Sequence, residues 1–296
     1  MQKWTTTAVI FTALAASSAQ ASVVGSLKDI TGIPSAAIIA PSAGGSAVGV
    51  FGSFDLQINF VGGGFTAAMT QAFVDAEAFW ESEIAGYRDA QTGGITALVI
   101  DASLPNIDGV GGILGQAGAN AALFGTNFVT PTAGVMQFDL ADAANLVAGG
   151  TFDDVVMHEM AHVMGFSGFF WTQNGATDGS GTDVTYTGAR GLAEYQNEFS
   201  AGATFIPVED NGGPGTAFSH WDEDLFMAHL VNTGNSANPE LMTGFLDNAV
   251  STVSKTTLAS FEDLGYALAP VPVPPSVALM LGGVAGLVLL GRRSRA

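Results

Sequence analysis

The stretch "VVMHEMAHVMGFSGFFW", residues 155–171, decides how the rest of the chain is read. His158 and His162 stand four apart, so on a helix they share one face with both rings in reach of a single ion. Glu159 projects beside them, placed to move a proton. The neighbours Val155, Val156, Met157, Met160, Val163 and Met164 are apolar, which buries this helix on most sides. Two imidazoles and a carboxylate on a buried helix destabilise a fold unless they find partners. A chance match on an exposed helix needs no metal, but the apolar neighbours weigh against it. Zinc on two histidines alone is poorly held, because catalytic sites typically take three protein ligands. A third ligand is required.

Position 168, where a third histidine would follow most closely, is glycine. The chain holds four histidines in all, so the choice is narrow. His220 sits in "AFSHWDED" and His229 in "FMAHLV", while Glu194 and Glu198 lie in "GLAEYQNEFS". Gly165 followed by "FSGFF" predicts that the motif helix stops and the chain turns at once. "NPELMTGF", residues 238–245, places Met242 in a turn, which taken alone is an ordinary core methionine.

Upstream, residues 54–60 alternate apolar and polar, the period of a half-buried strand. Met69, Phe73, Ala76, Trp80 and Ile84 recur at spacings of three and four, predicting an amphipathic helix that ends near Gly86. Residues 95–100 and 135–138 read as further strands. Between them, residues 102–133, with "IDGVGGILGQAGAN", read as a glycine-rich loop without a P-loop lysine. Thr151 is expected to cap the motif helix, with Asp154 at the third position. Beyond Gly165 the pattern loosens into turn-rich segments up to Gly215.

Hydrophobic residues make up 48% of the 296 and charged residues 12%, a globular composition. The formal net charge of −19 argues against a nucleic-acid partner, which needs clustered Lys and Arg. Lys3, the apolar run 8–16 and Ala19-Gln20-Ala21 form a secretory signal peptide, residues 1–21, cut after Ala21. At the other end, prolines over 270–275 form a stiff spacer. The apolar segment Ser276–Leu290 follows, closed by Arg292, Arg293 and Arg295. That segment is shorter than the roughly 17–25 residues of a usual transmembrane helix, although flanking residues can stretch it. Its basic end belongs in the cytoplasm, which leaves the main domain outside. The tail, residues 270–296, resembles the bacterial PEP-CTERM type of sorting signal in its Val-Pro-rich form. This implies surface sorting, with transient anchoring in the inner membrane of a Gram-negative bacterium, and export and sorting machinery as partners. Residues 22–269 form the main domain, in two subdomains, 22–165 and 166–269. The chain holds no cysteine, so neither disulfides nor thiol chemistry contribute.

Taken together, "HEMAHVMGF", "SHWDE", "ELMTG" and "SKTTLASFEDLGYAL" resemble the leishmanolysin family of zinc metalloendopeptidases, which are metzincins. "INFVGGGFTAAMTQAFVDAEAFWESEI" and "GVMQFDLADAANL" fit that family's N-terminal half. The resemblance implies an α+β, metzincin-like fold: a mixed sheet with two long helices above the cleft and a turn-rich C-terminal subdomain below. It implies one catalytic Zn2+ on His158, His162 and His220, Glu159 as general base toward the zinc-bound water, and Met242 in the turn under the metal. A long insertion before His220 then explains Gly168. The spare His229 remains a rival third ligand. "NEFS" faintly resembles the glutamate ligand of thermolysin-like enzymes, which makes Glu198 another.

The expected function is that of a secreted or surface-sorted endopeptidase acting on proteins or peptides. An extended substrate would pair with an edge strand, for which residues 135–138 are the candidate. The alternative is a non-catalytic extracellular matrix or adhesion protein on the same fold, which would have no need of Glu159. "DGSGTD", residues 178–183, has the oxygen-rich composition of a Ca2+ loop but lacks the downstream bidentate glutamate of an EF-hand. An exposed turn accounts for it better.

Overall fold

The computed structural model describes residues 53–270 except 90, 91, 93, 96, 180–182, 214, 224–230, 233–236 and 247–250, together with the short strands Ala8–Ile10, Val24–Gly25 and Ala37–Ile38. Apart from Ala8–Ile10, the expected signal peptide lies outside the described residues, as does the sorting tail beyond Pro270. No helix among the described residues is long and apolar enough to cross a membrane.

The N-terminal half is built on a mixed sheet. Strand β1 (Leu56–Phe60) is followed by helix α1 (Ala67–Glu83) and a short strand β2 (Ile84–Tyr87). Then come β3 (Leu98–Ser103), β4 (Gly115–Phe124) and β5 (Val129–Phe138). β3 runs parallel to both β1 and β5, whereas β4 lies antiparallel to β5. Among the described residues, the outer side of β4 carries Ala8–Ile10, paired with Ala121–Leu123. Gly115–Asn120 therefore has no strand on that side among the described residues.

The face of α1 expected from its spacing is the one that packs. Met69, Phe73, Ala76, Trp80 and Ile84 are all buried. The helix stops at Glu83, earlier than Gly86, because Ile84–Tyr87 turns extended and pairs with the C-terminal strand β6 (Tyr266–Leu268). α2 (Leu140–Gly149) leads into the motif helix α3 (Phe152–Val163), which packs on α1, β4 and β5.

Two expectations fail here. Residues 102–133 are not one loop, since β4 and the start of β5 lie within them. The glycines and alanines that suggested a loop leave room for α3, which rests directly on these strands. A Cβ at Gly134 would stand 2.5 Å from Val163 Cγ1 and 2.7 Å from the Gly118 carbonyl oxygen. Residues 135–138 are consequently not an edge: β5 is bonded to β3 on one side and to β4 on the other, so among the described residues the open sides of this sheet lie along β1 and along Gly115–Asn120 of β4. A third correction concerns the cap. Thr151 occupies the N-cap position of α3 but makes no capping bond with its side chain. Asp154 instead accepts from Ser251 N, and burial pushes its carboxyl up to about 7.

The C-terminal half is less irregular than its composition suggests. It contains α4 (Gly168–Gln173), α5 (Ala189–Glu198) and α6 (Lys255–Asp263). α5 and α6 cap each other. Glu198 accepts from Lys255 N, Thr256 N and Thr256 Oγ1, while Asp263 accepts from Arg190 N and Gly191 N. Each carboxylate sits where the neighbouring helix presents unpaired N–H groups.

Close approach of helix to sheet makes Gly134 intolerant of a side chain. Gly134→Ala is expected to lower urea stability by about 1–3 kcal/mol. Gly202→Ala, whose Cβ would meet nothing within 4 Å, should change it little.

Candidate metal centre

Helix α3 stacks His158 and His162 one turn apart, and the chain then reverses. Gly165 takes φ +102°, open to glycine and unfavourable for any side chain. Phe166 N donates to the Ala161 carbonyl, and this folds the Phe166 carbonyl back onto His162 Nδ1 at 2.6 Å. The stop expected at Gly165 thus also aims a ring.

The other two rings are aimed the same way. His158 Nδ1 donates to the Leu241 carbonyl at 2.7 Å, and His220 Nδ1 to that of Thr216 at 2.7 Å. A carbonyl oxygen only accepts, so each Nδ1 carries the hydrogen and each Nε2 presents its lone pair. The three Nε2 atoms converge at 2.9, 3.1 and 3.2 Å from one another. Zinc–imidazole bonds of about 2.0–2.1 Å in a tetrahedron place nitrogens about 3.3–3.4 Å apart, close to what is found. All three histidines are buried, and among the described residues they form the one group of metal-ligating side chains that converges. Burial, with the neighbouring imidazoles adding for His158 and His162, holds all three below the usual histidine range. His158 lies at about 3 and His220 at about 4. Neutral rings are the form that ligates.

Glu159 lies beside them, fully buried, and neither carboxylate oxygen has a hydrogen-bond partner. Burial raises its carboxyl well above the ordinary glutamate value. Gly115 at the start of β4 makes the space for it, since a Cβ there would stand 2.8 Å from Glu159 Oε1. A buried acid without partners costs stability and suits a group whose partner is a reactant.

Met242 is buried in the turn 240–243, and its carbonyl accepts from Trp221 N at 3.0 Å. The turn therefore touches both arms of the site: Leu241 holds His158, and Met242 holds the residue after His220. Glu198 is not at the site, because its oxygens are spent on the N-terminus of α6. Glu194 is likewise outside the cluster. His229 lies outside the described residues, as does the middle of the loop 178–183.

Residues 123–271 match the family model of leishmanolysin. The chain belongs to the leishmanolysin family. Over 125 residues it is 34% identical to a leishmanolysin homolog of Crithidia fasciculata, an alignment covering 38% of this chain and 16% of that relative. The leishmanolysin match contains Glu159, Met242 and all three converging histidines. Residues 50–122 lie outside it.

One residue of this leishmanolysin site escaped the sequence reading. Glu240, fully buried, accepts from Met242 N, from Ser254 N and Oγ, and from Thr257 Oγ1. Thr257 Oγ1 in turn accepts from Trp221 Nε1 at 2.7 Å. One carboxylate thus ties the methionine turn to α6 and, through Thr257, to the segment bearing His220. Burial pushes it up to about 7 against the pull of those donors. The signal was a lone acid directly before the apolar pair Leu241-Met242.

Glu240→Gln places an amide N–H where a donor already points, and should cost about 1–3 kcal/mol in urea unfolding. The imidazoles predict a pH effect. Unfolded, His220 takes up a proton near its usual ~6.5; folded, it does so only near about 4. Its contribution is intact above the unfolded value and is lost as pH falls toward the folded one. In metal-free protein, the stability advantage of wild type over His220→Gln should therefore shrink as pH drops from 7 to 4.5. A difference independent of pH would contradict the assignment.

Proposed function

We propose that this chain is an exported zinc-dependent endopeptidase, with His158, His162 and His220 as zinc ligands and Glu159 as general base. The observation that carries the reading is the convergence of three Nε2 lone pairs, each ring aimed by a carbonyl, beside a buried carboxylate that lacks a partner. Membership of a metallopeptidase family supports it.

Zinc, when bound, supplies Lewis acidity that polarises a scissile carbonyl and makes water acidic. Glu159 accepts the proton from the attacking water and delivers it to the leaving amide nitrogen; its raised affinity for protons suits that shuttle. The open side of β4 over Gly115–Asn120 offers main-chain N–H and C=O groups to an extended peptide. It begins at Gly115, against Glu159, so a peptide paired there passes the acid. The sequence features at both ends support export through residues 1–21 and surface sorting through residues 270–296. A purely adhesive role leaves the unpartnered Glu159 without a purpose.

The full-length protein should cleave an unstructured protein substrate, and a zinc chelator should stop it. Glu159→Ala should lower kcat/KM by about 10²–10⁴-fold while still folding and binding zinc. Equal cleavage by wild type and variant would sink the proposal.

A further inference from the structure

The position where a third ligand would follow most closely, Gly168, has a job of its own. A Cβ built on it would stand 2.3 Å from the carbonyl oxygen of Phe218, two residues before His220. That atom is backbone and cannot swing aside. Gly168 does not have the positive φ that would itself require glycine; only the contact forbids a side chain.

Phe218 is held there under strain. Its φ is +62°, and it is the one non-glycine residue with positive φ among the described residues. Such a conformation is unfavourable for a residue other than glycine and persists where the surroundings impose it. The surroundings are visible. Trp171, on the same short helix as Gly168, stacks on Trp221 at 5.3 Å and 8° between planes, and Phe166 meets Trp221 edge-on. Gly244 closes on the same turn: a Cβ there would stand 2.4 Å from Thr216 Cγ2 and 3.7 Å from His220 Cγ. Thr216 is the residue whose carbonyl aims His220.

We infer that Gly168 is a positioning residue for the third ligand. With Gly244 it forms a slot that seats the turn 216–220, and its missing side chain lets His220 reach the other two histidines. The inference rests on the zinc reading above. It assigns no contact with metal or substrate to Gly168 itself.

The test is zinc affinity of full-length Gly168→Ala, measured by competition with a chelating dye, beside wild type, Gly202→Ala and His220→Ala. The visible spectrum of the cobalt-substituted proteins reports ligand geometry without relying on activity. Gly168→Ala is expected to fold, to bind zinc at least tenfold more weakly and to show an altered cobalt spectrum, while Gly202→Ala matches wild type. Because Gly168 acts through His220, adding Gly168→Ala to His220→Ala should weaken zinc no further. Unchanged affinity and spectrum, an additional loss in the double variant, or a Gly168→Ala chain that fails to fold where Gly202→Ala folds would each overturn the inference. Absence of zinc from wild type would instead sink the metal reading on which it stands.

Discussion

Three imidazole nitrogens, 2.9 to 3.2 Å apart with lone pairs facing inward, repel one another unless a cation lies among them. Everything around the site serves to hold that arrangement. Each ring is fixed from behind by a different backbone segment: the reversal after α3, the turn 216–220, and the methionine turn. Backbone carbonyls suit the task, since they accept only, and so fix the tautomer as well as the orientation. Stability is given up at the site, where burial opposes protonation of the rings and ionisation of Glu159, and is recovered in the aromatic and aliphatic core beneath.

That core is one continuous cluster joining the two halves. Trp80 from α1 donates to the Met157 carbonyl and packs on Phe261 of α6, while Tyr266 of β6 donates to the Met164 carbonyl at the end of α3. The motif helix is therefore braced by the first long helix and by the last elements of the chain. Buried carboxylates do a matching job for the backbone. Asp139, buried yet accepting from the N–H groups of residues 107–109 and 141, is held below the usual aspartate range by those four bonds. Through it the loop leading into β4 is fixed. In an acidic chain with few basic side chains, backbone and hydroxyl donors are the partners these buried carboxylates use.

Glycine has a second role besides turning the chain. Gly115 yields space to Glu159, Gly134 to Val163 and Gly168 to the Phe218 carbonyl, none of them at positive φ. Small residues let a charged helix lie against a sheet closely enough to exclude water. They also explain why β4 resembles a loop in composition: the volume that would mark it as a strand is supplied by a helix far along the chain.

What the helical repeat contains could be read from local spacing alone. His158 and His162 on one face, Glu159 between them, the buried stripe of α1 and the stop at Gly165 all depend on residues within a few positions of each other. Two of the three converging histidines and the acid were legible for that reason. Tertiary structure decided the rest. His220, rather than Glu198, joins the cluster because α5 and α6 consume the carboxylate in capping each other. Strand order puts β5 inside the sheet and leaves Gly115–Asn120 of β4 open, and Glu240 matters because the methionine turn and the start of α6 meet on it. Contacts between residues far apart in the chain leave no periodic trace: His220 and Met242 were placed in advance by family resemblance, whereas Glu240 and the open side of β4 emerged from the folded packing.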